Sequence, residues 1–482
     1  MRFVFIIFSL LLLSPPLQSK ERSVAIVNIN VISGEDASVR PNLSVLLKGE
    51  KITDILESDQ NISAEDYEIV DGKNKYLIPG LIDSHVHLSM IPGMAEKEIE
   101  ENPELVKEYV DQLPRSYLYF GYTSVLDMNN CFPEGIRHFE TAPLHPDRWS
   151  TSIGINVLDG YPMNFISTAK RLELYPNYIY DPKIHDAKYG YYNGRYHDPK
   201  NAVDYVYQDA GIAVKTYYEP GNDFTGNLAT MSSEMFRELI DAAHSYKLPV
   251  FVHAQKLKAQ EYVVEFDIDV FAHGIFYFDI EGGEKEKYSR VEKVLDKVVE
   301  KGIGYQPTMR VMGGLRDLFE SSYLKDPKIA KVVPASLLKW FQSDAGQWYK
   351  EDPTAFFQAA LERLFWEAAY LDKKNALLLF GTDTPAEPSY GNLPGLNGYL
   401  EMKHWCEAGV LLKTIFLAAT INNAKVLNKE HRYGSIEKGK IANLLILSKN
   451  PLESIEAYDS IEKVILRGKI IERESLAASS SL

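Results

Sequence analysis

Tyr76-Leu-Ile-Pro-Gly-Leu-Ile-Asp-Ser-His-Val-His-Leu88 decides how this chain is read. Leu77, Ile78, Leu81 and Ile82 form an apolar run that suits a buried strand, broken by Pro79-Gly80 and ending in His85-Val86-His87. Side chains alternate along a strand, so residues i and i+2 face the same way, and two imidazoles placed like this can chelate one ion. His-x-His alone is equally a pair of structural or surface histidines, so the rest of the chain must supply the partners.

Upstream of this stretch the sequence is β-like without helices: Ser23 to Asn28, Val31 to Gly34, Ser44 to Lys48, Lys51 to Leu56 and Tyr67 to Val70. The same texture returns in Gly434 to Leu447 and Ile461 to Ile471. Two β-rich ends around a different middle predict one small β-sandwich domain built from both, residues 20–77 plus 432–474. The middle, residues 78–431, alternates strand and helix. Strands are expected at the opening stretch, Thr123–Asp127, Trp149–Leu158, Ile212–Tyr218, Pro249–His253, Asp269–His273, Gly302–Pro307 and Ala376–Asp383. Eight strands separated mostly by helices predict the α/β class and a (β/α)8 TIM barrel. Two interruptions, 159–200 and 310–352, exceed ordinary loops and follow strand ends, where barrel active sites lie. They are read as a lid and a substrate wall, with surface elaboration as the other reading.

The chain has 482 residues, 45% hydrophobic and 25% charged, a composition of globular proteins. A formal charge of −15 argues against a nucleic-acid partner, which requires a basic face. Met1-Arg2, the apolar run Phe3–Leu13 and the following Ser14-Pro-Pro suit a signal peptide over residues 1–19, too short an apolar run to span a bilayer. A periplasmic or secreted protein is expected, with no membrane span after signal removal. Cys131 and Cys406 are the only cysteines; they form either one bridge or two thiols. A homo-oligomer is left open.

The expected strand ends bring six ionisable groups to one rim: His85, His87, Lys215, His253, His273 and Asp383. Singly, each has an ordinary reading: a snorkelling lysine, a satisfied core histidine, a capping aspartate. Together they are hard to explain as packing, because burying each unpaired costs several kcal/mol, of order 2–7 for a polar group. A metal supplies the missing partner.

At this point the sequence resembles the amidohydrolase superfamily. The likeness runs from Pro79-Gly-Leu-Ile-Asp-Ser-His-Val-His87 through Gly121-Tyr-Thr-Ser-Val-Leu-Asp127, Val252-His-Ala254, Ala272-His-Gly274, Phe380-Gly-Thr-Asp383 and Ala418-Ala-Thr-Ile-Asn-Asn-Ala424 to Gly434-Ser-Ile-Glu-Lys-Gly-Lys-Ile-Ala-Asn443. The branch it resembles most is the imidazolonepropionase-like and Xaa-Pro dipeptidase-like group. The resemblance implies two divalent ions, zinc by default, with manganese, cobalt or iron able to serve. It assigns His85, His87 and Asp383 to the first ion and His253 and His273 to the second. Lys215 matches the lysine that takes up carbon dioxide, and the resulting carbamate bridges both ions. Two such ions lower the pKa of a shared water, giving a hydroxide that attacks the carbonyl while Asp383 carries the proton to the leaving nitrogen.

The expected activity is therefore hydrolysis of a C–N amide bond in a small molecule or dipeptide, Xaa-Pro dipeptides among them. Tyr217 or Tyr218 would steady the oxyanion, and Arg310 or Lys256 would hold a substrate carboxylate. Two departures are visible. Asn443 stands where the superfamily often has Asp. Lys256 stands where the one-metal deaminases have a proton-donating Glu, which argues against deamination. Cyclic amides, lactones and organophosphate esters, with one metal or two, stay open. The reading from another class is a non-catalytic metal-binding scaffold.

Overall fold

The computed structural model describes residues 23–57, 62–130, 133–168, 170–185, 196–222, 226–343, 353–386 and 389–478. The expected signal peptide and Cys131 lie outside these residues; Cys406 is partly buried on the helix Leu396–Glu407. Strands from both chain ends form one eight-stranded sheet. Its order is Lys469–Glu472, Ile461–Leu466, Leu444–Leu447, Tyr76–Pro79, Ser23–Ser33, Ser38–Lys48 and Lys51–Glu57, with Glu68–Asp71 alongside Ser23–Ser33. The two ends meet where Leu444–Leu447 runs antiparallel to Tyr76–Pro79 in the register Leu445 opposite Ile78.

Burial explains why these strands read as continuous apolar runs rather than alternating ones. Leu444, Ile446 and Leu77 point into the sheet's own core with Val24, Ile26 and Leu47. Their neighbours Leu445, Leu447 and Ile78 point the other way, into the large central core. Period-two alternation thus feeds two cores at once, and neither face of the strand is left wet.

The middle of the chain is mixed α/β with parallel pairing. Leu81–Val86, Tyr122–Asp127 and Asp147–Ser150 form one parallel sheet, and Val214–Tyr217, Val250–His253, Val270–Phe271 and Gly304–Tyr305 another. Isolated parallel bridges join Ile155 to Thr216, Tyr305 to Leu378 and Val86 to Thr384. The expected third strand, Trp149–Leu158, is shorter and begins earlier. Its later residues Asn156–Val157 turn away to pair with Tyr178–Ile179. The expected eighth strand, Ala376–Asp383, is extended chain held by single bonds, with Leu379 N donating to Tyr305 O at 3.0 Å and Asp383 N to His85 O at 2.8 Å.

Helices flank these strands where the apolar period demands. Glu284–Lys301 buries Val291, Val294, Leu295 and Val298, a spacing that stacks them on one face, and it stops at Gly302 with φ 67°. Ser233–Ser245 buries Phe236, Leu239, Ile240 and Ala243 with the same spacing. Among the described residues no helix is long and apolar enough to cross a membrane.

Candidate metal centre

His85 and Lys215 lie within the strands Leu81–Val86 and Val214–Tyr217, His253 ends Val250–His253, His87 and His273 follow their strands closely, and Asp383 follows the bridged segment beside Leu81–Val86. His85, His87 and Asp383 form a group whose ligand atoms all lie within 4.8 Å of one another. Asp383 Oδ1 is 2.8 Å from His87 Nε2 and 3.2 Å from His85 Nε2. Its Oδ2 is 3.7 Å from His273 Nδ1. Lys215 Nζ lies 3.4 Å from His85 Nε2. The imidazole of His273 is 5.0 Å from that of His85 and 4.6 Å from that of His253, centroid to centroid. All six expected residues are therefore brought together.

The backbone bends to allow it. Asp383 has φ 56°, a left-handed conformation that is uncommon for a residue with a Cβ and concentrates at functional sites. Two residues earlier, a Cβ on Gly381 would fall 2.7 Å from His85 Cβ and 2.8 Å from Gln306 Nε2, so only glycine lets this segment pass so close.

Burial sets the charge state of the site. Burial pushes His85 down to about 4, with the neighbouring Lys215 adding to the effect. Burial likewise drives His253 and His273 well below the ordinary histidine value and Lys215 down to about 7. Burial alone would raise the Asp383 carboxyl, but His85 and His273, with hydrogen bonds from His85 and His87, hold it well below its usual range. Neutral imidazoles beside a carboxylate are the donor set of a divalent transition metal. Nε2 of His253 is buried without a hydrogen-bond partner, as a ligand atom awaiting an ion would be. The residues present fit such an ion.

Several supporting residues were not read from the sequence. Gln306 Oε1 faces His85 Nδ1 at 3.2 Å, while its Nε2 donates to Ser84 Oγ at 2.7 Å. This pins His85 with Nε2 toward Asp383. Thr308 Oγ1 sits 3.0 Å from His273 Nδ1. Asp83, buried two residues before His85, accepts from Thr382 N and Oγ1 and ties the first strand to the Asp383 segment. Glu219 lies 3.9 Å from His253 Nε2 and 3.6 Å from Lys256 Nζ, and burial pushes its carboxyl up to about 6 against the pull of Lys256. Tyr161 stacks on His253 with centroids 4.3 Å apart. A glutamine before a proline and a tyrosine inside a long insertion carry no signal in one sequence.

The four expected substrate contacts divide. Tyr217 faces the site, its ring 5.6 Å from Lys215 Nζ and 5.7 Å from that of His253. Tyr218, one residue on, points to the opposite side and stacks on Tyr262 at 4.5 Å, so it does not reach an oxyanion at this site. Lys256 is at the rim but already faces Glu219. Arg310 corrects the expectation outright. Its guanidinium is buried and filled by Asp317 at 2.6 Å, Asn397 Oδ1 at 2.8 Å and Gly391 O at 3.1 Å, leaving no open edge for a substrate carboxylate.

Comparison with known proteins agrees with the resemblance carried by the motifs. The model of the amidohydrolase family matches residues 365–471, a span that contains Asp383 and returns to the composite sheet. A dihydroorotase from Carboxydothermus hydrogenoformans is 35% identical over 108 residues, which are 22% of this chain and 22% of that protein. The chain thus matches about a fifth of the length of that curated relative. The crystal structure of an Xaa-Pro dipeptidase with bound methionine in the active site has a TM-score of 0.63 at 20% identity, covering 93% of this chain and 100% of that one. A prolidase complexed with N-methylphosphonate-L-proline gives 0.65 at 17%, covering 94% and 100%. At these identities the structural likeness is one of fold. The chain is similar to the amidohydrolase superfamily and, in fold, to its prolidase-like members.

Proposed function

We propose that this chain is an exported metal-dependent amidohydrolase that cleaves a C–N amide bond, with Xaa-Pro-type dipeptides the first class to test. The observation that carries the reading is the convergence of His85, His87, His273 and Asp383 with Lys215 and His253 on one rim. A closed (β/α)8 barrel over residues 78–431 is supported by the bridges from Ile155 to Thr216, Tyr305 to Leu378 and Val86 to Thr384. Residues 20–77 and 432–474 form the accessory β-sandwich domain. Residues 1–19 are the signal peptide of a periplasmic or secreted protein.

In this reading His85, His87 and Asp383 would hold one divalent ion, zinc by default, and His253 and His273 a second. Lys215 Nζ, uncharged when burial takes its proton, would add carbon dioxide and release a proton, and the resulting carbamate would supply a further anionic ligand. When bound, the ions would polarise the scissile carbonyl and make an attacking water acidic at neutral pH. Asp383 accepts the water's proton and passes it to the leaving nitrogen, which must be protonated to depart as an amine. Gln306 and Thr308 keep His85 and His273 turned for the task. Tyr217, whose ring faces Lys215 and His253, would donate to the carbonyl oxygen.

Elemental analysis of chelator-free protein should find close to two metals per chain, and Lys215→Ala should lose activity with partial rescue by small carboxylates. One metal per chain together with an indifferent Lys215→Ala variant would sink the bridged site. The substrate screen should set Xaa-Pro and other dipeptides beside dihydroorotate, lactones and organophosphate esters. Bound metal with no turnover of any of them would favour the scaffold.

A further inference from the structure

The insertion that begins at residue 159 is a built wall. Its residues Met163, Tyr175 and Tyr178 are buried together against Leu158. Arg171 braces the turn, its Nη1 on Asp159 and its Nη2 donating to Ile166 O at 3.2 Å. Asn129, just beyond the strand Tyr122–Asp127, donates to Tyr175 Oη at 2.9 Å and ties the wall to the parallel strands.

On this support Tyr161 lies against His253, 4.3 Å between centroids and 24° between planes. Tyr217 is 5.6 Å from it and tilted, and Phe165 meets it edge to face at 5.7 Å. Gly154 makes room for this group, since a Cβ there would fall 2.5 Å from Tyr217 Oη. Phe165 is 65% exposed, so its ring offers apolar surface to a ligand. A run of three rings therefore extends from a proposed ligand histidine to an uncovered phenyl group.

We propose that Tyr161, flanked by Tyr217 and Phe165, is a specificity-determining residue, and that this fixed aromatic wall receives a ring-bearing group of the substrate, aromatic or saturated. The inference rests on His253 belonging to the metal centre as proposed above. A ring laid on the wall removes apolar surface from water on both partners, and the wall, already ordered by its own core, loses little freedom on binding. The competing role for Tyr161 is to shield His253 from water, which would treat all substrates alike.

The test is calorimetric titration of the metal-loaded protein with L-phenylalanine, L-proline and L-alanine, amino acids of the kind amide cleavage releases. The wild type should bind the first two more tightly than alanine. Tyr161→Ala should weaken phenylalanine and proline by roughly three- to ten-fold, the worth of one aromatic contact, and leave alanine unchanged. Tyr161→Phe should keep the preference. Phe165→Ser, at an exposed position where folding is not at risk, should lose part of it. Equal loss for all three amino acids in Tyr161→Ala, or a wild type with no preference for the ring-bearing pair, overturns the inference. Failure of the wild type to hydrolyse any amide is a separate result: it overturns the proposed activity, while the binding comparison still decides the role of the wall.

Discussion

At the scale of single residues, the centre depends on a side chain that touches no proposed ion position. Gln306 holds His85 Nδ1 at 3.2 Å and is itself fixed by Ser84, so the imidazole has one orientation available. Replacing it by leucine removes the acceptor that fixes the tautomer. Gln306→Leu should therefore weaken metal retention by roughly ten- to a hundred-fold, the usual cost of losing an outer partner of a ligand histidine. Competition against a chelator would measure this, and an unchanged chelator midpoint would show that His85 orients itself. The proposed ligands were legible in the sequence because histidine, lysine and aspartate at the ends of apolar runs are out of place without a partner. Their supporters were not. Gln306 and Thr308 are ordinary polar residues until the fold sets them beside His85 and His273. Arg310 misled for the same reason, since Asn397 and Gly391, which fill its fork, are 87 and 81 residues away.

At the scale of elements, the helix Thr354–Lys373 props up the strand ends that carry the site. Its Glu367 is fully buried and accepts from Ile275 N at 3.0 Å and Tyr305 Oη at 2.9 Å, while Oε1 has no partner. Burial pushes its carboxyl up from 4.5 to about 8. Between these values the folded chain keeps a proton that the unfolded chain has released, so stability falls as pH rises through that window and levels off above it. One such group gives a slope of up to about 1.4 kcal/mol per pH unit. Urea unfolding of the wild type at pH 5.5 and 7.5 should show this decline, and Glu367→Gln, which preserves the acceptor oxygen, should make it shallower, the buried Asp83 and Glu401 carboxyls, both raised to about 7, keeping part of the slope. Equal pH dependence in the two proteins would mean that Glu367 is ionised in the fold. In the helix Glu284–Lys301 the buried positions Val291, Val294, Leu295 and Val298 recur with the helical period, a trace that a sequence carries. The segment before Asp383 read as an ordinary strand. The left-handed turn at Asp383 and the close pass of Gly381 are set by the site, and neither leaves a periodic trace.

At the scale of the whole molecule, the two chain ends are joined to the middle by a few polar contacts as well as by the shared sheet. Arg115 Nη2 and Gln112 Nε2, on the helix Pro103–Tyr119, donate to the carbonyls of Ser475 and Leu476, close to the last described residues. Asn443, just before the strand Leu444–Leu447, donates to Asp147 Oδ2 at 2.7 Å and accepts from Arg467 N at 2.7 Å, while Arg467 Nη1 holds Asp147 Oδ1 at 2.6 Å. This explains the departure from the superfamily's aspartate at that position. A carboxylate at 443 would face the Asp147 carboxylate across a distance meant for a hydrogen bond, whereas the amide offers a donor to Asp147 and an acceptor to the backbone. Asn443→Asp should therefore lose about 1–2 kcal/mol, the worth of a mostly buried bond replaced by a like-charge contact that Arg467 only partly offsets. Asp147→Asn in the same chain restores a donor–acceptor pair across the joint. It should recover most of the loss, so the two substitutions together should be less destabilising than the sum of each alone. The urea midpoints of the four proteins give this coupling directly. Additive midpoints would mean that Asn443 and Asp147 do not stabilise each other, and that the loss in Asn443→Asp arises elsewhere.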